Sequence, residues 1–276
     1  MDEWLSVSID SIPCRGRPAG SEIMQITVQT METSCNFIFI FTFARKILMS
    51  VILFIALIIA AYLIGSVSNA IWIGNTCFRT DVRKHGSHNA GATNVMRVLG
   101  WKAAAPVFLL DLVKGVAAVC LIVFTSLKKN PADYFEANTF VSFQIALGIA
   151  VVLGHIFPLF ASFKGGKGVA TTAGVVLAIF PAAMLIVLGI FLICLFITRY
   201  VSLSSIIAAM FLPVIVIVLF DVIIGTYEPV TLEIFSVLVT VTILITHRKN
   251  IRRLRNGTEN KIVIRKNPSI EILKKD

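Results

Sequence analysis

Apolar runs long enough to cross, or nearly cross, a bilayer core of about 30 Å decide what this chain can become. They occupy residues 49–73, 103–127, 139–160, 203–220 and 232–246. Between the third and fourth, residues 169–197 are almost wholly apolar, and Pro181 divides them because proline ends a helix that meets it. Two helices are expected there, a short one and one ending near Ile197. The fold class that follows is an all-α polytopic membrane protein, with seven transmembrane helices in one domain over residues 49–259 and a basic cytoplasmic tail over 260–276.

Charge placement gives the orientation. Arg79, Arg83, Lys84, Arg97 and Lys102 face a single acid, Asp81, in the segment after the first run, and the chain from His247 onward is richer still in bases. Asp221, Glu228 and Glu233 mark the opposite side. The positive-inside rule places the N-terminus of the first span outside and the C-terminus in the cytoplasm, with Lys128 and Lys129 on the unexpected side. With 57% hydrophobic and 14% charged residues, the net charge of +10 reads as cytoplasmic loops, not as a nucleic-acid partner.

Residues 1–48 fall outside this pattern. NFIFIFTF is too short to span, and no small-residue cleavage site follows it, so an extension without a functional role, or a start codon set too early, is expected. Cys14, Cys35, Cys77, Cys120 and Cys194 show no CxxC spacing and no paired histidines, so all five read as structural, with no disulfide framework and no metal.

Polar chemistry gathers at four places. RKHGSHNAGATNVMRVLG interleaves Ser87, Asn89, Thr93 and Asn94 with glycines, between Arg83 and Arg97, a composition suited to an anionic, hydroxylated small molecule. GHIFP puts His155 at the end of the third run, shortly before FKGGKGVATTAG. That loop is not a nucleotide cradle, because GxxxxGK[ST] requires Ser or Thr where Gly168 follows Lys167. Opening a helix near Val169, its Gly165, Gly166 and Gly168 amides with Lys164 and Lys167 instead suit a smaller anion. In DLVKG, Asp111 and Lys114 lie three apart on one helix face, where they either pair or present Lys114 to a substrate. Finally THRKNIRRLRNGTE leaves the last run as a basic juxtamembrane segment, suited to anionic lipid, with His247 and Asn250 nearest the membrane.

With GSVSNA, RKHGSHNAGATN, GHIFPLFASFKGGKGVAT and HRKNIRRL in order, the chain over residues 49–259 resembles the bacterial acyl-phosphate:glycerol-3-phosphate acyltransferase family. The resemblance implies a bacterial inner-membrane enzyme, its site facing the cytoplasm, that moves a fatty acyl group from acyl phosphate to the 1-hydroxyl of sn-glycerol 3-phosphate. The products would be lysophosphatidic acid and phosphate, made without a cofactor. It also implies a functional link to an enzyme that makes acyl phosphate. By motif, Ser66, Arg83, Ser87, Asn89, Thr93, Asn94 and Arg97 go to the glycerol phosphate end. His155, Lys164, Gly165, Gly166, Lys167 and Gly168 go around the acyl phosphate. His247 and Asn250 join the glycerol phosphate end, with Glu259 a further candidate. The catalytic group is expected among Lys167, His155, Ser66 and Asn94. The chain departs from the family pattern at His88, where a glycine is usual, at Ser68, often proline, and at Thr246, commonly arginine.

Acyl phosphate is already activated, so alignment and charge stabilisation carry such a reaction, and the hydroxyl proton goes to a histidine or to the substrate's own phosphate. No HxxxxD pair exists, since no aspartate stands five residues after His85, His88, His155 or His247. A transporter of a phosphorylated or anionic lipid precursor is the alternative reading, with the same basic groups as a cytoplasmic gate.

Overall fold

The computed structural model describes residues 19–125, 134–219 and 230–262. Lys128, Lys129, Asp221, Glu228, Cys14 and the tail beyond residue 262, on which parts of the charge and cysteine arguments rest, lie outside them. The described chain is helical, with short 3-10 turns at Val82–Lys84, Leu121–Phe124 and Leu159–Ala161. Helix α1 runs Ala19–Ser66, α2 Asn69–Phe78, α3 Ala92–Leu99, α4 Trp101–Cys120 and α5 Tyr134–Ile156. After these come α6 Val169–Ile179, α7 Pro181–Thr198, α8 Val201–Ile217, α9 Val230–Thr246 and α10 Arg248–Arg255.

Two units divide the chain within α1, residues 1–52 and 53–276. In the first, the side chains from Ile40 to Ile52 are exposed. The helix crossings and the cavity described below lie in the second unit.

Among the described residues four helical stretches are long and apolar enough to cross a membrane: Ile40–Ser66, Trp101–Phe124, Asn138–Ala161 and Pro181–Thr198. A fifth is added if α9 and α10, bent by 61° at His247, count as one broken span. Helices α6 and α8, at 11 and 17 residues, are apolar but shorter. At 1.5 Å per residue α6 is only about 16 Å long, because Pro181 starts the next helix at its first position.

The first apolar run is not one helix to residue 73. It breaks after Ser66 and restarts at Asn69. Hydropathy does not show this break, and the side chain that takes up its carbonyls lies 47 residues away. Lys114 Nζ donates to the carbonyls of Gly65 and Val67, at 3.2 and 3.0 Å, taking up acceptors that a helix end leaves open.

Close helix crossings set the remaining geometry. A Cβ on Gly115 would strike the Thr171 carbonyl and one on Gly174 the Leu112 carbonyl, so these two glycines let α4 and α6 touch backbone to backbone. Gly65 and Gly154 do the same for α1 and α5. Leu147, Val151 and Val175 fill the core between these helices, while Val82, Val95 and Val107 form a second cluster that seats the loop after α2 on α3 and α4.

Candidate active site

Loop geometry begins with Asn94 on α3, whose amide is wholly engaged. Its Oδ1 accepts from the Ser87 N–H at 2.7 Å, and its Nδ2 donates to the carbonyls of Val82 and His85 at 2.8 and 3.1 Å. A buried amide with every bond made is a clamp, and it turns Ser87, Asn89 and Thr93 toward one cavity. His88 sits in this loop at φ 59°, the left-handed region glycine adopts without strain, which accounts for a glycine at this position in the family pattern. Its Nδ1 lies 3.0 Å from the Arg83 carbonyl, and because a carbonyl only accepts, that nitrogen carries the proton.

Arg83 is placed elsewhere than expected. Its guanidinium is held by Asp81, with NH2 2.9 Å from Oδ2, while NH1 donates to the Ala161 carbonyl at 3.1 Å. That bond to Arg83 keeps the Asp81 carboxyl below its ordinary range. Arg83 is therefore a strut between two loops and lies off the cavity lining. Ser66 does too: it is fully buried, with its hydroxyl donated to the Tyr62 carbonyl at 2.9 Å.

The KGGKG loop splits in two. The amides expected to cradle an anion at Gly165 and Gly166 are already used, donating to the carbonyls of Ile156 and His155 at the end of α5, each at 3.2 Å. A Cβ on Gly166 would collide with His155 Nε2, so this glycine is needed for close approach. Lys164 is exposed and off the lining. Lys167 and Gly168 do line the cavity, as do Val169 and Ala170, the first residues of α6. Gly168 caps the helix at φ 83° and its carbonyl accepts from the Thr172 N–H at 2.7 Å, while the Val169, Ala170 and Thr171 N–H groups have no protein acceptor among the described residues.

Opposite stands the bend between α9 and α10. His247, 2% exposed, donates its Nδ1 hydrogen to the Ile243 carbonyl at 2.9 Å, which leaves Nε2 as an acceptor when the ring is neutral. Lys167 Nζ donates to Asn250 Oδ1 at 2.7 Å, and Asn250 Nδ2 donates to Glu259 Oε1 at 2.9 Å. Glu259 also accepts from Ser202 Oγ at 3.1 Å and Arg253 Nε at 2.6 Å. These bonds, from Arg253 first, hold its carboxyl below the ordinary value despite burial. Arg97 NH2 approaches Glu259 to 3.8 Å, but Arg97 Nε is buried without a partner.

Burial pulls the Lys167 ammonium down to about 8, opposed by Glu259 and reinforced by Arg253 and Arg97. Three cations against one carboxylate leave the cluster two charges positive, 3 − 1 = 2, until an anion arrives. Arg253 stands behind Glu259, and Arg97, Lys167 and Glu259 of this cluster line a cavity of about 380 Å³. Its other wall is apolar, with Trp101 and Phe108 on α4 and Phe191 and Leu195 on α7. Beneath it, Asp111 accepts from Asn69 Nδ2 at 2.9 Å and pairs with Lys114 at 2.8 Å, and His155 Nδ1 lies 3.6 Å from the same carboxylate and 3.2 Å from Thr171 Oγ1. Lys114 thus pairs internally and joins the helix break to the cavity floor.

Of the expected residues, Ser87, Asn89, Thr93, Asn94, Arg97, His155, Lys167, Gly168, His247 and Asn250 are brought together around this cavity, and Ser66, Arg83, Lys164, Gly165 and Gly166 are not. The sequence does not single out Ser202 or Ser205, offers Asp111 only as a partner for Lys114 and gives Glu259 a marginal place, although all four line the cavity. The signal for Ser202 and Ser205 was their spacing of three at the start of an apolar run, which puts two hydroxyls on one face of α8.

Comparison with known proteins decides the family. The model of the family described as glycerol-3-phosphate acyltransferase matches residues 55–257. This chain belongs to the glycerol-3-phosphate acyltransferase family. Glycerol-3-phosphate acyltransferases of Chlorobium limicola and Chlorobaculum tepidum are 41% and 43% identical to it, over 77% and 76% of this chain and 97% and 96% of theirs. The crystal structure of PlsY (YgiH), an integral membrane glycerol 3-phosphate acyltransferase, in its glycerol 3-phosphate form, matches with a TM-score of 0.64 and 34% identity, covering 80% of this chain and 98% of that one. Its lysophosphatidic acid form matches at 0.62 and 33%, covering 76% and 96%. An acyltransferase of this family is a membrane protein of apolar helices, as the spans above are.

Proposed function

We propose that this protein transfers a fatty acyl group from acyl phosphate to the 1-hydroxyl of sn-glycerol 3-phosphate. The observation that carries the reading is the pairing of two walls in one cavity. Lys167, the unpartnered Arg97 Nε and the open amides of α6 face it from one side, and an apolar wall of α4 and α7 faces it from the other. A phosphate head on a greasy chain fits that division, and an uncommitted double positive charge suits two phosphate-bearing substrates. In the reaction the glycerol oxygen bonds to the acyl carbonyl carbon, the bond from that carbon to the phosphate oxygen breaks, and inorganic phosphate leaves. The hydroxyl proton goes to a substrate phosphate, with His247 Nε2 placed to accept a hydrogen bond from the hydroxyl. The protein's share is then alignment and charge stabilisation.

In this reading seven helices form the membrane domain, the N-terminal end of the first faces outward, and the cavity opens to the cytoplasmic side of a bacterial inner membrane. The apolar wall of α4 and α7 gives the chain of a membrane-dissolved donor a path to the phosphate site. A separate enzyme must supply the acyl phosphate. Purified protein in detergent, given palmitoyl phosphate and glycerol 3-phosphate, should release phosphate and lysophosphatidic acid in equal amounts. Turnover with palmitoyl-coenzyme A alone would overturn the donor assignment, and a transporter would release no phosphate.

A further inference from the structure

The residues of α10 sort by angle into two opposed groups. Arg248, Lys249, Arg252 and Arg255 fall on one face, at the spacing that places i, i+1, i+4 and i+7 together, and all four are exposed. Among the described residues none of these cations is paired with a carboxylate. On the opposite face Asn250, 3% exposed, bridges Lys167 and Glu259 at 2.7 and 2.9 Å. The helix follows the apolar α9 directly and turns 61° away from it. A bare cationic face just past the end of an apolar helix meets the plane of lipid headgroups.

We infer that the exposed face of α10 binds the phosphates of anionic lipid headgroups, and that this contact holds Asn250 against Lys167, so that bilayer charge regulates the site. The regulatory half rests on the acyl-transfer reading above; the lipid contact does not. A helix of eight residues is too short to hold its conformation alone, so fixing its outer face fixes the side chain on its inner one. Charge complementarity selects the partner. Each Lys or Arg near an anionic leaflet gains a factor of roughly five in surface binding.

The test uses the full chain in vesicles of phosphatidylcholine alone or of phosphatidylcholine and phosphatidylglycerol in equal parts. It reads amide hydrogen exchange over residues 248–255 together with the KM for glycerol 3-phosphate. A second protein carries Arg248→Gln, Lys249→Gln, Arg252→Gln and Arg255→Gln. In the wild type, phosphatidylglycerol should slow exchange at α10 by roughly fivefold or more, lower KM relative to the variant, and lose both effects in high salt. The variant should exchange equally fast in both vesicles and keep the wild-type rate seen in phosphatidylcholine. Because an anionic surface repels anionic glycerol 3-phosphate from both proteins alike, the difference between them is the readout. Wild-type exchange indifferent to phosphatidylglycerol, or a variant that responds as the wild type does, overturns the inference. Lipid-dependent exchange without acyl transfer in any vesicle overturns the acyl-transfer reading and the regulation together, and leaves the lipid contact standing.

Discussion

Replacing Lys167 by methionine keeps the length of the stem and removes the charge that the proposed phosphate site depends on. The ammonium is half-buried, donates to Asn250 Oδ1 at 2.7 Å, and among the described residues has Glu259 as the carboxylate acting on it. Removing one partner from a buried charged pair costs about 2–5 kcal/mol. Arg97 and the α6 amides remain beside the substrate, so the lower half of that range applies. About 2–3 kcal/mol corresponds to a loss in kcat/KM of roughly 30- to 150-fold. The pH profile gives a sharper test. Lys167 is held near 8, and the charged form binds the phosphate, so kcat/KM should be flat up to about pH 8 and then fall about tenfold per pH unit as the ammonium deprotonates. The limb in kcat should lie at higher pH, because a bound phosphate favours the charged form. Lys167→Arg should be impaired by its different fork geometry but should show no alkaline limb, since guanidinium stays protonated throughout. Phosphate release from palmitoyl phosphate, followed from pH 6 to 10 in detergent, reads all of this. A methionine variant within about threefold of wild type, or an unchanged limb in the arginine variant, refutes the role given to Lys167.

Arg97→Ala should cost roughly 100-fold in kcat/KM, while Arg83→Ala, which removes a strut off the cavity, should cost less in turnover and show chiefly as a lower unfolding temperature; equal kinetic losses would count against the geometry. Glu259→Gln breaks a buried pair and should destabilise the protein by about 2–4 kcal/mol, read as a lowered Tm in detergent. Because the Glu259 charge raises the Lys167 ammonium, the same substitution should move the alkaline limb of kcat/KM below pH 8. Gly115→Ala pushes a methyl group into the Thr171 carbonyl and should destabilise the α4–α6 crossing by about 1–3 kcal/mol, again measured as Tm.

Hydropathy made the helices legible because a bilayer imposes one demand on every spanning segment, and a single proline at 181 was enough to place the division between α6 and α7. The break after Ser66 was not legible. Lys114 on α4 takes up the carbonyls left open there, and sequence shows Lys114 only as a partner of Asp111 or a cation facing a substrate. Site residues follow the same rule. Ser87, Asn89 and Thr93 could be read together because one loop carries them, and Lys167 because it precedes a helix start. Ser202 and Asp111 reach the cavity from α8 and α4, and only packing brings them there.

The two arginines sharpen the point. Arg83 and Arg97 flank the same motif and are equally basic by composition, so sequence gives no ground for choosing between them. What separates them is a neighbour. Asp81, two residues before Arg83, captures that guanidinium within its own loop. Arg97 lies on α3, where the adjacent turn offers no carboxylate, and its nearest acid, Glu259, already accepts from Arg253, Asn250 and Ser202. One carboxylate shared among Arg253, Lys167 and Arg97 cannot neutralise all three cations, so Arg97 keeps charge to spare for a ligand. Both the capture of Arg83 by Asp81 and the crowding of Glu259 became visible only in the fold.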